Sequence, residues 1–269
     1  MKSRIITQKN GNGIFNRKEW VSESQKLYVS AKLLREQGDA TRQRIREMES
    51  GSGEVTTLIN IVSASDKSSR LLLGYAFEML LKSAILLLNY GATKETIEKI
   101  FRDYGHKLDT MAKELGLDIN EHEINLLRMV SKDILIQARY PLKVENDSEY
   151  IKEFNKLTSE HADSNKFIEL VGLYDKIKFT ICKLDKDSSN CANFNKYTCD
   201  EFSVFFRSGG GLRSRAIVLF NNPEFENKRK MYVKESIKNE TGKFSTLFLY
   251  NWDEFEFYED HNKKLKPID

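Results

Sequence analysis

Three ionisable residues border or interrupt the very apolar stretch from Leu71 to Thr93: Arg70, Glu78 and Lys82. Glu78 and Lys82 lie four apart, so on a helix they share a face in the favourable acid-before-base order. Arg70 lies eight before Glu78 and nearly shares that face. Charge on an otherwise apolar helix must be paired or put to chemical use, because unpaired burial is costly. Two further groups follow: Gly105-His106-Lys107-Leu108 and Arg139-Tyr140-Pro141. An unperturbed histidine titrates near about 6.5 and can exchange a proton near neutral pH. An arginine fork holds a phosphate in two places at once. His106 and Arg139 are therefore the candidate catalytic pair, with Arg70, Glu78, Lys82 and Tyr140 as the polar network around them. The competing reading is a purely structural network that fixes the register of the helices.

Other chemistries lack their parts. Cys182, Cys191 and Cys199 stand too far apart for a zinc ligand pair, and no two histidines lie at i, i+4. No metal and no cofactor are expected. Neither a Gly-x-Ser-x-Gly elbow nor a dinucleotide fingerprint is present. Ser208-Gly209-Gly210-Gly211 is followed by Leu212-Arg213-Ser214-Arg215 rather than Gly-Lys-Ser/Thr, so it reads as a hairpin turn. Arg213 and Arg215 alternate beyond it and would share one strand face. With Lys228, Arg229 and Lys230 they make a second candidate, a nucleic-acid-contacting element.

Charge is close to balanced, with 43 basic and 40 acidic side chains. The excess is +5 over residues 1–53, −3 over 54–187 and +1 over 188–269. That excludes a heavily cationic coat protein and leaves room for a local basic surface. An odd cysteine count and a polar start from Met1 to Arg17 predict a reduced, cytoplasmic chain. Glu78 and Lys82 make the apolar run a core helix rather than a membrane span.

These groups need rigid elements to position them. All three prolines fall at or after Pro141, so nothing breaks a helix by that route in the first 140 residues. Residues 1–16, with Asn10-Gly11-Asn12-Gly13, read as a flexible arm. Helices are expected over Glu19–Met48, with Gly38-Asp39 kinking or splitting it, and over Val55–Tyr90, with a division near Ser63–Asp66. Gly51-Ser52-Gly53 separates the two. Further helices follow at Lys94–Tyr104, from Gly105 to Leu115, and from Asn120 to about Ala138. Asn120 and Glu123 form a capping box for the last of these. Pro141 ends it by pushing Tyr140 out of the helical region. After a polar loop at 142–148, helices are expected at Ser148–Leu157 and Ser164–Leu184.

Beyond a polar, turn-rich segment from Asp185 to Lys196 the periodicity changes. Phe202–Arg207, Ala216–Phe220, Thr246–Tyr250 and Phe255–Phe257 read as strands, and Lys228–Lys238 as a helix. The tail past His261 reads as disordered. The expectation is a mainly α protein. It comprises the arm (1–16), an antiparallel helical bundle (17–187) and a small C-terminal α+β extension with a short β-sheet (188–269).

The run Gly74-Tyr75-Ala76-Phe77-Glu78-Met79-Leu80-Leu81-Lys82, then Gly105-His106-Lys107-Leu108, then Ala138-Arg139-Tyr140-Pro141, resembles the HEPN family (higher eukaryotes and prokaryotes nucleotide-binding domains). The resemblance covers roughly residues 18–184. It implies an up-and-down helical bundle, usually a homodimer, of the kind found in bacterial toxin–antitoxin, antiphage defence and RNA-processing systems. Many members are metal-independent ribonucleases whose signature is an arginine, four to six residues, then a histidine. Here no histidine follows Arg139 until His161, and only three residues separate Arg102 from His106. The intact motif is absent. The resemblance therefore implies binding of RNA, nucleotide or a protein partner such as an antitoxin or a nucleotidyltransferase. The alternative is an endoribonuclease with a non-standard site, using His106 or His161 with Arg139.

Overall fold

The computed structural model describes residues 15–48, 54–137, 147–183, 190–222, 230–241, 249 and 251–269. Among these, two long helices form the frame: α1 (Arg17–Glu47) and α2 (Val55–Leu88). They run antiparallel: Ser24 donates to the Ala76 carbonyl (2.7 Å), and Arg44 pairs with Glu54 at the far end (3.0 Å). Asn16 caps α1 by accepting from the Glu19 amide, and Phe15 is buried, so these two residues of the expected arm belong to the fold; residues 1–14 lie outside the described residues. Neither helix is divided. Gly38 is a contact glycine rather than a hinge: a Cβ there would sit 3.1 Å from Ser65 Cβ, so its absence lets the two helices approach.

Shorter helices close the bundle: α3 (Lys94–Tyr104), α4 (Leu108–Leu115) and α5 (Glu121–Lys132), then a π turn (Asp133–Gln137). Asn120 and Glu123 form the full reciprocal capping box. Then come α6 (Asp147–Ala162), which extends beyond the expected span at both ends, and α7 (Ser164–Lys183). α7 lies antiparallel to α1, with Tyr28 donating to Asp175 (2.9 Å) and stacked on Tyr174 (4.4 Å between centroids). The apolar run of α2 is long enough to cross a membrane by length and composition. It is nevertheless the core helix of the bundle, with 67% of its most apolar window buried.

The C-terminal sheet has five strands in the order β1 (Asn193–Thr198), β2 (Phe202–Ser208), β3 (Arg215–Phe220), β4 (Glu256–His261), β5 (Lys264–Pro267). All neighbours are antiparallel except β3 and β4. A parallel pair needs a crossover, and the connection contains the helix of the basic stretch, α8 (Lys230–Thr241). β1 lies where a polar turn was expected, and β5 lies in the tail expected to be disordered. Asn262 and Lys263, both at positive φ, make the two-residue turn that folds β5 back on β4. Of the expected strand 246–250 only Leu249 is among the described residues, and it is helical.

The sheet is buried on both faces. Phe202, Val204, Phe206, Ala216, Val218 and Phe257 face α8 (Val233, Ile237) and Trp252. Ile217, Leu212 and Leu265 belong to the core of the bundle. The expected small C-terminal α+β extension is present, and its sheet is docked on the helices. Tyr90 meets Phe194 and Phe205 edge-on (5.1 and 5.5 Å), and Asp260 accepts from the Thr93 amide at the start of α3 (2.7 Å). Gly91 makes this possible: it has φ +96°, and a Cβ would fall 2.2 Å from Phe205 Cγ.

Gly91→Ala should therefore destabilise the protein by about 2–3 kcal/mol, through backbone strain and overpacking together. Gly172→Ala should raise stability by roughly 0.5–1 kcal/mol, since α7 is helical there and nothing lies within 4 Å of the added methyl. Urea denaturation of the two variants beside the parent checks both.

Candidate functional site

The first candidate is a corner where α2 meets the turn between α3 and α4. Gly105 ends α3 at φ +54°, where a side chain would be strained, and turns the chain toward α2. α4 is fixed by the Leu108 amide, which donates to Ser131 Oγ on α5 (3.0 Å). His106 is thereby held with Nδ1 2.7 Å from Glu78 Oε2. The other Glu78 oxygen accepts from Lys82 Nζ at 2.5 Å. Glu78 is 3% exposed, whereas the His106 side chain is 20% exposed, so the carboxylate lies beneath and the imidazole at the surface. Lys82 extends over the Phe101 ring (5.6 Å), and Tyr75 lies edge-on to the imidazole (6.3 Å). A carboxylate on one ring nitrogen fixes the tautomer and orientation of a histidine, the arrangement that suits proton transfer at the other nitrogen.

Arg70 does not belong to this corner. It is 2% exposed, with one nitrogen on Asp133 of the π turn (2.5 Å) and another on the Glu160 carbonyl of α6 (2.5 Å). Arg35 acts beside it, donating to the His161 carbonyl (2.8 Å), the Ala162 carbonyl (2.6 Å) and Ser164 Oγ (2.9 Å). Asp66 neutralises Arg35 (3.1 Å) and Arg42 (2.6 Å). The last carbonyls of α6 are thus held by two buried guanidinium groups, where the negative end of the helix dipole favours cations. The single network expected around Glu78 is in fact two, and Arg70 serves the one that is structural. Asp133 carried a signal in the sequence: it is a charge among the buried positions Val130, Ser131 and Ile134.

His161 lies at this second cluster. Burial, reinforced by the charges of Arg70 and Lys67, pushes its imidazole down to about 4. It is neutral at neutral pH and is not an imidazolium acid there. Arg139, Tyr140 and Pro141 lie outside the described residues, as do Lys228 and Arg229.

The two arginines expected on one cationic strand face part company: the Arg213 side chain is 47% exposed, whereas Arg215 is turned inward. Arg215 is 2% exposed and bridges Glu114 of α4 (2.5 Å), Glu256 of β4 (3.1 Å) and Asn89 at the end of α2 (2.8 Å), stacked on Tyr258 (4.4 Å). Arg213 pairs with Glu256 at 2.7 Å and donates its amide to the Leu115 carbonyl. Both tie the sheet to the helices, and Arg215 is withdrawn from any ligand in solvent. Arg207, opposite Arg215 in register, is fully buried and clamps the glycine turn by donating to the Gly209 and Arg213 carbonyls (2.6 and 2.7 Å). Burial lowers its guanidinium to about 10, still charged at neutral pH. Lys230 remains near the surface, with its ammonium over the Phe257 ring (4.8 Å).

Among the described residues no group of three or more His, Cys, Asp or Glu side chains is placed to hold a metal ion. No protein-family model, curated protein or solved structure matches this chain.

The depressed His161 gives a pH prediction. Its folded value lies below the unfolded value of about 6.5, so the unfolded chain takes up the proton first. Its contribution is intact above about 6.5 and is lost as the pH falls toward 4. Urea midpoints should drop across that window in the parent, and His161→Gln should flatten the drop.

Proposed function

We propose that this is a HEPN-like helical protein that works by binding RNA as a homodimer, with the Glu78–His106–Lys82 corner as its functional centre. The observation that supports the reading is the hydrogen bond between His106 and Glu78, at 2.7 Å. It joins two sequence motifs 28 residues apart at one partly exposed point. Dimerisation has its own support. Val29 and Leu33 on α1 are 45% and 60% exposed, and Ile168 and Phe179 on the adjacent α7 are 66% and 65% exposed. Large apolar side chains exposed on neighbouring helices favour burial against a partner. Such a protein belongs with antiphage or toxin–antitoxin systems, in the cytoplasm, where an antitoxin or nucleotidyltransferase would be its protein partner.

A second reading, a metal-independent endoribonuclease, draws on the same corner. A carboxylate-oriented imidazole is the geometry of a general base, and Lys82 supplies a nearby cation.

Light scattering of the purified chain should give the mass of a dimer, and labelled RNA should bind at low salt. A strict monomer that binds no RNA, nucleotide or partner protein at low salt overturns the proposal. If incubation with total RNA yields cleavage, His106→Ala should lower its rate by roughly 10²–10⁴-fold. Cleavage untouched by that change would remove His106 from the reaction.

A further inference from the structure

Three glycines lie inside the described helices: Gly38, Gly74 and Gly172. Glycine within a helix lowers its stability relative to alanine, so each position needs a compensating reason. Two of them have one inside the fold. A Cβ on Gly38 would lie 3.1 Å from Ser65 Cβ, and one on Gly74 would lie 2.8 Å from Val130 Cγ1 and 3.0 Å from Ile134. Gly172 has no such reason. It is exposed, it is not among the glycines at positive φ, and nothing lies within 4 Å of the place where its Cβ would stand.

The ridge around Gly172 is apolar. Ile168 stands one turn before it and Phe179 two turns after it, and they are the two most exposed large apolar side chains among the described residues. Spacings of four and seven put all three on one face of α7. The charges beside the ridge are held sideways: Asp175 accepts from Tyr28 of α1 (2.9 Å), and Lys176 reaches Glu123 of α5 (2.8 Å). Lys183 has its ammonium 5.0 Å from the centre of the Phe179 ring. A lysine stem lies along apolar surface with its head in water, so it need not leave when the ridge is covered. α1 widens the surface. Tyr28 marks the level of Asp175, with Val29 next to it and Leu33 a turn further on. The four apolar side chains expose roughly 400 Å² per copy, near half of the about 800 Å² that each partner gives to a stable interface.

We propose that Gly172 is the recess at which two copies of this chain meet, α7 against α7 in antiparallel sense across a two-fold axis. Phe179 of each copy is seated over Gly172 of the other. The inference rests on the homodimer reading above and names the residues of its contact. A two-fold contact is self-complementary, so one surface must carry both the knob and the recess. Here Phe179 is the knob and Gly172 the recess, two turns or about 10.5 Å apart on the same ridge. A different protein would need only one of the two. The missing side chain lets the facing helix approach closely, and that approach is what compensates for a glycine at this place.

The test sets self-association against stability on the full chain, by sedimentation velocity over a dilution series and by urea denaturation. Gly172→Ala should weaken self-association at least about tenfold, because the new methyl fills the recess. At a concentration where both proteins are monomeric, the same variant should denature at higher urea than the parent. At high concentration the parent's midpoint should rise further than the variant's. These effects have opposite signs, whereas a glycine required within the chain would lose on both counts. Phe179→Ser, at an exposed position, should weaken association likewise. Ile59→Ser, 52% exposed on α2, should leave it unchanged. A parent dimer whose dissociation constant is unaltered by Gly172→Ala and by Phe179→Ser would overturn this contact and leave the homodimer reading intact. Lower stability of monomeric Gly172→Ala would overturn it as well. A parent that stays monomeric at every concentration would remove the contact together with the homodimer on which it rests.

Discussion

The fold depends on how α2 disposes of its charge. This helix is apolar around most of its circumference and forms the centre of the bundle, yet it carries Asp66, Arg70, Glu78 and Lys82. Buried ions of this kind are tolerated only with partners in good geometry, and removing one partner typically costs about 3–5 kcal/mol. Each of the first three therefore dictates the position of another element. Asp66 fixes α1 through Arg35 and Arg42, and Arg70 fixes the π turn through Asp133 and the end of α6 through a carbonyl. Glu78 fixes the α3–α4 turn through His106. Hydrophobic packing makes the bundle compact, but these pairs select which neighbour lies at which height along α2.

The same logic joins the sheet to the bundle. Arg215 is enclosed by Glu114, Glu256, Asn89 and the Tyr258 ring, so one guanidinium spans α2, α4 and β4. Asp260 from β4 supplies the cap that the first turn of α3 needs. Phe205 occupies the space that Gly91 leaves open. The two structural classes in this chain are therefore mechanically coupled.

The helices were largely legible from the sequence because their signals are local. The apolar spacing of α3, the Asn120–Glu123 box and the i, i+4 order of Glu78 and Lys82 each depend on a few neighbouring residues. What was hidden depends on distant ones. β1 alternates asparagine, lysine and threonine with only Phe194 and Tyr197 to bury, and it forms because β2 offers a full ladder. β5 has one seated side chain, Leu265, and is held by its turn and its partner strand. Alternation placed Arg213 and Arg215 on a common face, but no local pattern said that the bundle would cover Arg215 and leave Arg213 exposed. Likewise the pairing of Arg70 with Asp133 spans 63 residues and carries no spacing rule.

The two histidines that the sequence offered for chemistry are separated by these surroundings. His161 is set among Arg70 and Lys67, and its own carbonyl is engaged by Arg35. Burial, with these cations beside it, keeps the imidazole neutral, and its backbone helps to close the end of α6. His106 has the opposite setting, with a buried carboxylate on one ring nitrogen and its edge at the surface. Its neighbour Lys82 spends its charge on the second oxygen of the same carboxylate, so Glu78 orients two donors at once. That economy makes the corner rigid: the ammonium is paired and largely covered, and the oriented imidazole is the part of the corner that reaches the surface.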